Sequence, residues 1–312
     1  MISKGKRSAI GVFAAIPGCS PGLGRALKAF LLERQIAGAT LATIQTYKTQ
    51  LEPFGAWCNR SGIDLPELSV DILRSYLASR QQLSQSALYE AARRLKTFFS
   101  WCGKESICED FGAQIRIPKQ PVKVIVALSV AQVRALLAVG RGESFIGRRN
   151  EALLRLLIDS GLRITEALTL KMSDLNLEAG RALVQGKGQK QRFVAFGPRT
   201  TKALVQYVRA RERLSTTADE LFLSINGQPM KRRHIQQHLK RLAHRAGIVG
   251  VRVSPHTLRH TFATWYLRNG GDVFSLQRLL GHASLAMTQR YLYLTDGDVS
   301  ATHEKFSPGN LV

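Results

Sequence analysis

One short segment limits how this chain can fold, because it divides the sequence into two parts. Residues 117–128 contain two prolines and two lysines and show no helical period. Proline disfavours helix at the residue before it, so the segment is typical of an extended linker between domains. The sequence therefore predicts an N-terminal extension over residues 1–21, a first domain over 22–116 and a second domain over 129–312.

The first domain shows the periodicity of amphipathic helices. Leu23, Leu27, Phe30 and Leu31 repeat at the spacing that places apolar side chains on one helical face. Three more runs of this kind follow, over residues 44–57, 70–77 and 88–101. We expect a small helical bundle.

The second domain combines helices with one hairpin. Ser129 is a typical N-cap for a helix over 130–139, and Gly161 favours the end of a helix over 148–160. Two β-prone runs, 181–185 and 191–196, flank a glycine-containing turn with Lys187 at its tip. Further helices are expected at 198–213, 231–246, 255–269, 273–280 and 285–294, with a short strand at 221–224. The predicted fold class is mainly α with a small antiparallel β-sheet in the second domain.

The charge balance points to a polyanionic partner. Lys and Arg total 45 against 22 for Asp and Glu, which gives a formal net charge of +23. Nucleic acid is the partner that such a charge favours, although a merely basic surface is the alternative. One basic run is a candidate DNA-facing helix, or else the solvated face of a helix. It contains Lys231, Arg232, Arg233, Lys240 and Arg241.

Cysteine usage and hydropathy predict a cytoplasmic protein without a membrane partner. The four cysteines form no C-x-x-C pair, which supports neither a zinc module nor a disulfide framework. The apolar run at residues 9–16 is short and is followed directly by Pro17, so it does not fit an export signal. No stretch approaches the roughly 18 to 20 apolar residues that span a bilayer.

Four separated motifs carry reactive side chains, and each has an ordinary structural explanation. Arg163 in Gly-Leu-Arg-Ile-Thr-Glu suits an arginine that pairs with Glu166, and Lys187 suits a polar turn residue. The motif His-Thr-Leu-Arg-His places His256 and Arg259 at i and i+3. At this spacing they can both bind one anion, or they can form a polar cluster with each other. The fourth motif is Leu-Gly-His at residues 280–282, followed nine residues later by Tyr291, which could be a core residue.

Taken in order and with these spacings, the motifs resemble the active-site signature of the tyrosine recombinase (phage integrase) family. The resemblance is to its two-domain Xer-like or transposon-type members and covers roughly residues 22–306. It implies a helical N-terminal core-binding domain and a tyrosine-recombinase catalytic domain that ends in an exchanged C-terminal helix. Tyr293 lies close to Tyr291, so the choice of nucleophile depends on the spacing from His282.

The resemblance also implies a reaction. Arginine and histidine donors around a phosphodiester stabilise its developing charge without a metal, and no cofactor or ATP is needed. A phenol with a pKa near 10 needs a base, and the leaving 5′-oxygen needs an acid. The implied catalytic residues are Arg163, Arg259 and His282 around the phosphate, His256 as base, Lys187 as acid and Tyr291 as the nucleophile that forms a 3′-phosphotyrosine.

The implied partners are double-stranded DNA recombination sites, bound by a homo-tetramer on paired sites. Two other functions are compatible with parts of the sequence: a type IB topoisomerase that nicks and closes DNA alone, and a non-enzymatic DNA-binding regulator. The complete set of catalytic side chains disfavours the regulator, and the helical first domain disfavours the topoisomerase. The target sequence, and with it integration, dimer resolution or transposition, stays open.

Overall fold

The computed structural model shows a mainly helical chain with one small antiparallel sheet, which confirms the predicted fold class. Two compact units, Met1–Lys123 and Val124–Val312, make up the chain. The narrower domain limits drawn from the sequence stay predictions. The structure describes residues 18–119, 126–186, 191–282, 284–289, 291 and 307.

The first unit is the helical bundle that its periodicity predicted. Side chains of Thr40, Ser69 and Ser84 cap three of its helices by accepting a backbone N–H of the first turn. The short α5 was not expected, and Asp110 caps it in the same way. The helices are α1 (Pro21–Ile36), α2 (Leu41–Arg60), α3 (Val70–Ala78), α4 (Gln85–Lys104) and α5 (Phe111–Gln114).

The second unit contains eight helices and three strands among its described residues. The helices are α6 (Val130–Gly140), α7 (Phe145–Ser160), α8 (Ile164–Thr169), α9 (Pro198–Arg211), α10 (Arg232–Arg245), α11 (Pro255–Arg268), α12 (Val273–Leu280) and α13 (Ala286–Gln289). The strands are β1 (Leu175–Asn176), β2 (Arg181–Gln185) and β3 (Gln191–Ala195). β2 pairs with both neighbours antiparallel, so the predicted hairpin strands are confirmed, while the turn residues 187–190 lie outside the described residues.

Three details of the second unit differ from the sequence prediction. α7 begins at Phe145 rather than at residue 148, because Ser144 caps it. α8 and β1 were not expected, since both are too short to show a period. Of the helix predicted over 285–294, only Ala286–Gln289 is described as helical, and residues 290 and 292–294 lie outside the described residues.

The predicted strand at 221–224 is wrong, and a buried side chain is the reason. Leu221 and Leu223 are fully buried, as their apolar character suggested. Their backbone groups bond outside the sheet: the Tyr207 hydroxyl donates to the Leu221 carbonyl at 2.9 Å and accepts from the Leu223 N–H at 3.0 Å, and Arg149 donates to the Leu223 carbonyl at 3.0 Å. Side chains thus bond backbone groups that a neighbouring strand would otherwise pair, and Leu223 makes an isolated bridge to Pro229.

A glycine directs the chain from the core of the second unit into the candidate site. Gly161 ends α7 with a φ of 61°, the left-handed region in which side chains are strained. A Cβ there would also overlap the ring of Phe262. The tight turn that Gly161 permits places Arg163 at the start of α8. None of the helices in the described ranges is long and apolar enough to cross a membrane.

Candidate active site

The fold brings three of the four sequence motifs together in the second unit. Arg163 precedes α8, while His256 and Arg259 lie in the first turns of α11. His282 and Tyr291 follow α12, on either side of α13. The remaining motif, the hairpin turn with Lys187, lies outside the described residues.

Arg259 is the most deeply buried cation of this group, with 5% of the residue exposed. Its Nη1 donates to the Gly161 carbonyl at 2.7 Å and its Nη2 to the Leu280 carbonyl at 2.7 Å. Burial, followed by repulsion from Arg163, lowers the pKa of the guanidinium to about 10. Arg259 is therefore still charged at neutral pH and is fixed between the end of α7 and the end of α12.

Arg163 donates to the same Leu280 carbonyl as Arg259. Its Nη1 donates to Leu280 at 3.3 Å and to Glu166 at 2.9 Å, and its Nη2 donates to Gly281 at 3.4 Å. The Arg163 side chain is 36% exposed, so part of it faces solvent. The predicted pairing of Arg163 with Glu166 is present. At the same time, Arg163 and Arg259 both donate to the Leu280 carbonyl.

Glu166 has a second arginine partner that the sequence analysis did not identify. Arg192 on β3 contacts both carboxylate oxygens of Glu166, at 3.0 and 2.8 Å. Burial would raise the pKa of Glu166, but hydrogen bonds from Arg192 and Arg163 outweigh it and hold the pKa below its usual value. The sequence did contain a signal for Arg192. In the predicted strand 191–196, this arginine shares a face with the apolar residues Val194 and Phe196, where a charge needs a partner.

His282 lies directly after the left-handed Gly281, which ends α12 with a φ of 62°. Its backbone N–H donates to the Gln277 carbonyl at 3.1 Å. Its ring Nδ1 is hydrogen-bonded to the Thr288 hydroxyl at 2.8 Å. Both contacts orient the imidazole within the turn between α12 and α13.

Tyr291 is buried, and its phenol contacts a histidine that was not among the predicted site residues. The residue is 2% exposed and packs with Leu276 and Leu280. A hydrogen bond of 2.6 Å joins its hydroxyl oxygen to Nδ1 of His260. His260 follows Arg259 in the His-Thr-Leu-Arg-His motif, and its position one turn after His256 was the signal available in the sequence.

Comparison with known proteins agrees with this geometry. The phage integrase family model matches residues 127–297, which include every residue of the candidate site. The chain belongs to the phage integrase family.

Two curated relatives and one solved structure illustrate the similarity. Tyrosine recombinase XerD of Pseudomonas aeruginosa is 34% identical over 294 residues, covering 92% of this chain and 97% of the relative. Tyrosine recombinase XerC of Anoxybacillus flavithermus is 34% identical over 262 residues, covering 81% and 87%. The crystal structure of the XerH site-specific recombinase bound to a palindromic difH substrate in a post-cleavage complex has a TM-score of 0.71 at 23% identity, covering 91% and 85%.

Family membership makes this chain a tyrosine-type site-specific recombinase that acts on DNA. The electrostatics of His256 fit such a site. Loss of hydration lowers the pKa of His256, and so do the nearby positive charges of Arg232, Arg259 and Arg163. The imidazole is therefore held in its neutral form at neutral pH, in which one ring nitrogen can accept a proton.

Because the charge of Arg232 lowers the pKa of His256, the start of α10 lies near the candidate site. Ile235, Leu239 and Leu242 bury one face of α10 in the core. The opposite face is exposed. All five predicted DNA-binding residues are exposed: Lys231 and Arg232 at the start of α10, and Arg233, Lys240 and Arg241 farther along it.

The contact between Tyr291 and His260 predicts an energetic coupling. His260→Phe leaves a buried phenol without this partner, whereas removal of both polar groups restores an apolar contact. In a double-mutant cycle with Tyr291→Phe, we expect a favourable coupling of about 1 kcal/mol in the free energy of unfolding. Urea unfolding followed by fluorine NMR of fluorotryptophan-labelled protein measures it, with Trp265 reporting on the second unit.

The matched control is His244→Phe, which changes an exposed histidine at the end of α10. Its effect and that of Tyr291→Phe should add within about 0.5 kcal/mol. If the effects of His260→Phe and Tyr291→Phe on the free energy of unfolding also add within about 0.5 kcal/mol, the hydrogen bond does not hold the phenol.

Proposed function

We propose that Tyr291 is the nucleophile of this recombinase and that Arg163, Arg259 and His282 bind the scissile phosphate. The observation that carries the proposal is the convergence of Arg163 and Arg259 on the Leu280 carbonyl, one residue before the turn that carries His282. A phosphodiester anion repels nucleophiles, and two guanidinium groups aimed at one point offset that repulsion. Each guanidinium has five N–H donors, so the hydrogens that are not bonded to protein groups can donate to phosphate oxygens.

His256 is the base in this proposal. A phenol with an ordinary pKa near 10 is a poor nucleophile at neutral pH, so its proton must be removed as the bond to phosphorus forms. A neutral imidazole is the form that accepts a proton, and the charges of Arg232, Arg259 and Arg163 favour that form of His256. In the structure, the Tyr291 phenol is buried and hydrogen-bonded to His260, so the proposed reaction also requires Tyr291 to leave this position.

The proposed chemistry conserves the ester and needs neither metal nor ATP. The Tyr291 oxygen forms a bond to phosphorus, and the bond from phosphorus to the 5′-oxygen breaks. Lys187 gives that oxygen its proton as general acid. The resulting 3′-phosphotyrosyl bond retains the energy of the phosphodiester, so the 5′-hydroxyl of another strand can attack it and rejoin the DNA. Tyr291 then recovers a proton and is ready for another cycle.

We also propose that four protomers act together on two paired sites. Complete exchange between two duplexes breaks and rejoins four strands, and each break needs one nucleophilic tyrosine. Since each protomer supplies a single Tyr291, four protomers match the four scissile phosphates. The exposed cations of α10 and the net charge of +23 favour duplex DNA as the surface on which they assemble.

The first test is covalent capture on DNA. The substrate is a panel of duplexes that the protein selects from a random-sequence library, each nicked next to successive phosphates so that cleavage becomes irreversible. Wild-type protein should form a covalent adduct in excess EDTA, and Tyr291→Phe should form none while it binds the same duplex. The physical reason is that the substitution removes only the attacking oxygen. Denaturing gels measure the adduct, and mobility shifts measure binding.

Tyr293→Phe is the matched control, because it removes a phenolic oxygen two residues away. It should retain the adduct. An adduct that survives Tyr291→Phe and disappears with Tyr293→Phe would reverse the assignment, and an adduct that requires added magnesium would contradict the metal-free reaction. Binding without any adduct would favour a DNA-binding regulator. Relaxation of supercoiled DNA without strand exchange would favour a topoisomerase.

The role of Lys187 predicts a chemical rescue. Lys187→Ala should slow cleavage of the ordinary duplex, because the departing 5′-oxygen lacks its proton donor. A bridging 5′-phosphorothiolate at the scissile position supplies a sulfur leaving group that needs no proton. It should therefore restore most of the lost rate in single-turnover cleavage. If the modified duplex brings no gain relative to wild type, Lys187 contacts the phosphate without acting as the acid.

The stoichiometry predicts the mass of the assembled complex. Analytical ultracentrifugation of Tyr291→Phe protein, which binds without cutting, should show four protomers on two duplexes once both carry the selected site. Scrambled duplexes of the same length serve as the control. A complex that stays at one or two protomers on a single duplex at saturating protein would contradict the tetramer.

A further inference from the structure

Arg192 occupies an unusual place for an arginine, on the face of β3 that points into the protein. Its side chain is 14% exposed, and the alternate residue Val194 is fully buried. Nη1 and Nη2 donate to the two oxygens of Glu166, and Nε donates to the Leu279 carbonyl at 3.0 Å. With its guanidinium engaged inside the protein, Arg192 is placed to act on other side chains rather than on DNA.

The Glu166 carboxylate links Arg192 to Arg163. It is 4% exposed and accepts four hydrogen bonds, two from Arg192, one from Nη1 of Arg163 and one from the Arg163 backbone N–H. Two guanidinium groups therefore share one buried negative charge. The three side chains together have a net charge of one positive unit, and Arg163 is the partially exposed member that presents it.

Removing Arg192 would change the charge that Arg163 presents. Among the described residues, Arg163 would then be the only cation that contacts Glu166, and the two would form a neutral ion pair. An ion pair beside a phosphate attracts it far less than an uncompensated guanidinium does, because the carboxylate repels the same anion. Arg192 thus frees Arg163 from acting solely as the counter-ion of Glu166.

Arg192 also packs against the turn that carries His282. A Cβ at Gly281 would lie 3.2 Å from the Arg192 guanidinium, so glycine allows the turn to approach the arginine closely. The bond from Arg192 to Leu279 fixes the residue two positions earlier. One side chain therefore contacts the carboxylate partner of Arg163 and the chain just before His282.

We propose that Arg192 is a positioning residue of this recombinase, which orients Arg163 and the His282 turn for binding the scissile phosphate. It does so by neutralising the charge of Glu166 and by bonding to the Leu279 carbonyl at the end of α12. The proposal depends on the proposed function, because it assigns Arg192 an effect on the residues that bind the scissile phosphate. It acts through Glu166 and Leu279, without contact to DNA.

The experiment measures single-turnover cleavage of the nicked duplexes described above. Arg192→Gln should lower the cleavage rate at least about tenfold, because the Arg163 donor is then neutralised by Glu166. Duplex affinity in mobility shifts should change by less than about threefold, since Arg192 lies among protein groups rather than at the surface. Arg181→Gln is the matched control. It removes the same charge from an exposed position on the neighbouring strand and should cleave like wild type.

A rescue separates positioning from general structural support. Adding Glu166→Gln to Arg192→Gln removes the carboxylate that captures Arg163, so cleavage should rise at least about threefold over Arg192→Gln alone. A side chain that only supports the fold predicts the opposite, because a second change in the same cluster then adds to the damage. A double variant that is no faster than Arg192→Gln overturns the proposal.

The outcomes also distinguish this proposal from the proposed function. If wild-type protein forms no Tyr291 adduct, the function itself fails. If wild type cleaves and Arg192→Gln cleaves equally fast, only the role of Arg192 fails. Where Arg192→Gln does not fold by circular dichroism, Arg192→Lys decides. It keeps the charge but loses the two-pronged contact, so it should cleave more slowly than wild type at unchanged affinity, and a wild-type rate overturns the proposal.

Discussion

The candidate site depends on the carbonyl groups that end α12. A helix leaves its last carbonyls without partners inside the helix and concentrates a partial negative charge there. The left-handed Gly281 stops the helix and turns the chain away, so these carbonyls stay open to other donors. Three arginines from three different elements use them: Arg192 contacts Leu279, Arg259 contacts Leu280, and Arg163 contacts Leu280 and Gly281.

This helix end explains why cations that repel one another can lie together. Arg163, Arg192 and Arg259 interact with the carbonyl dipoles, and Glu166 supplies one full negative charge beside them. Desolvation is the main cost for Arg259, and it lowers the pKa of the guanidinium to about 10 without removing its charge. The donors are thus oriented by the protein in advance, which is the arrangement that stabilises a developing anion best.

Much of this fold and the motif residues of the site could be predicted from the sequence, because helical period, caps and motif spacing are local. The residues that were missed depend on contacts between distant positions. Arg192 meets Glu166 across 26 residues, and His260 meets Tyr291 across 31. The failed strand at 221–224 has the same origin, since Leu221 and Leu223 each bond to the hydroxyl of Tyr207, 14 and 16 residues away. No local pattern records which partner such a group finds.

The formal charges of the cluster bear on how the proposed reaction gains speed. Arg163, Arg192 and Arg259 contribute three positive charges and Glu166 one negative charge, so the group has a net charge of two positive units. A phosphodiester has one negative charge, and the five-coordinate phosphorus reached by phenolate attack has two. A fixed charge of two units attracts the second state more strongly than the first, and only such a difference accelerates the chemical step. In the proposed site, Arg163 is partly exposed and bonded to Glu166, while Arg259 is buried and held by two backbone carbonyls, so both donors are oriented by the protein.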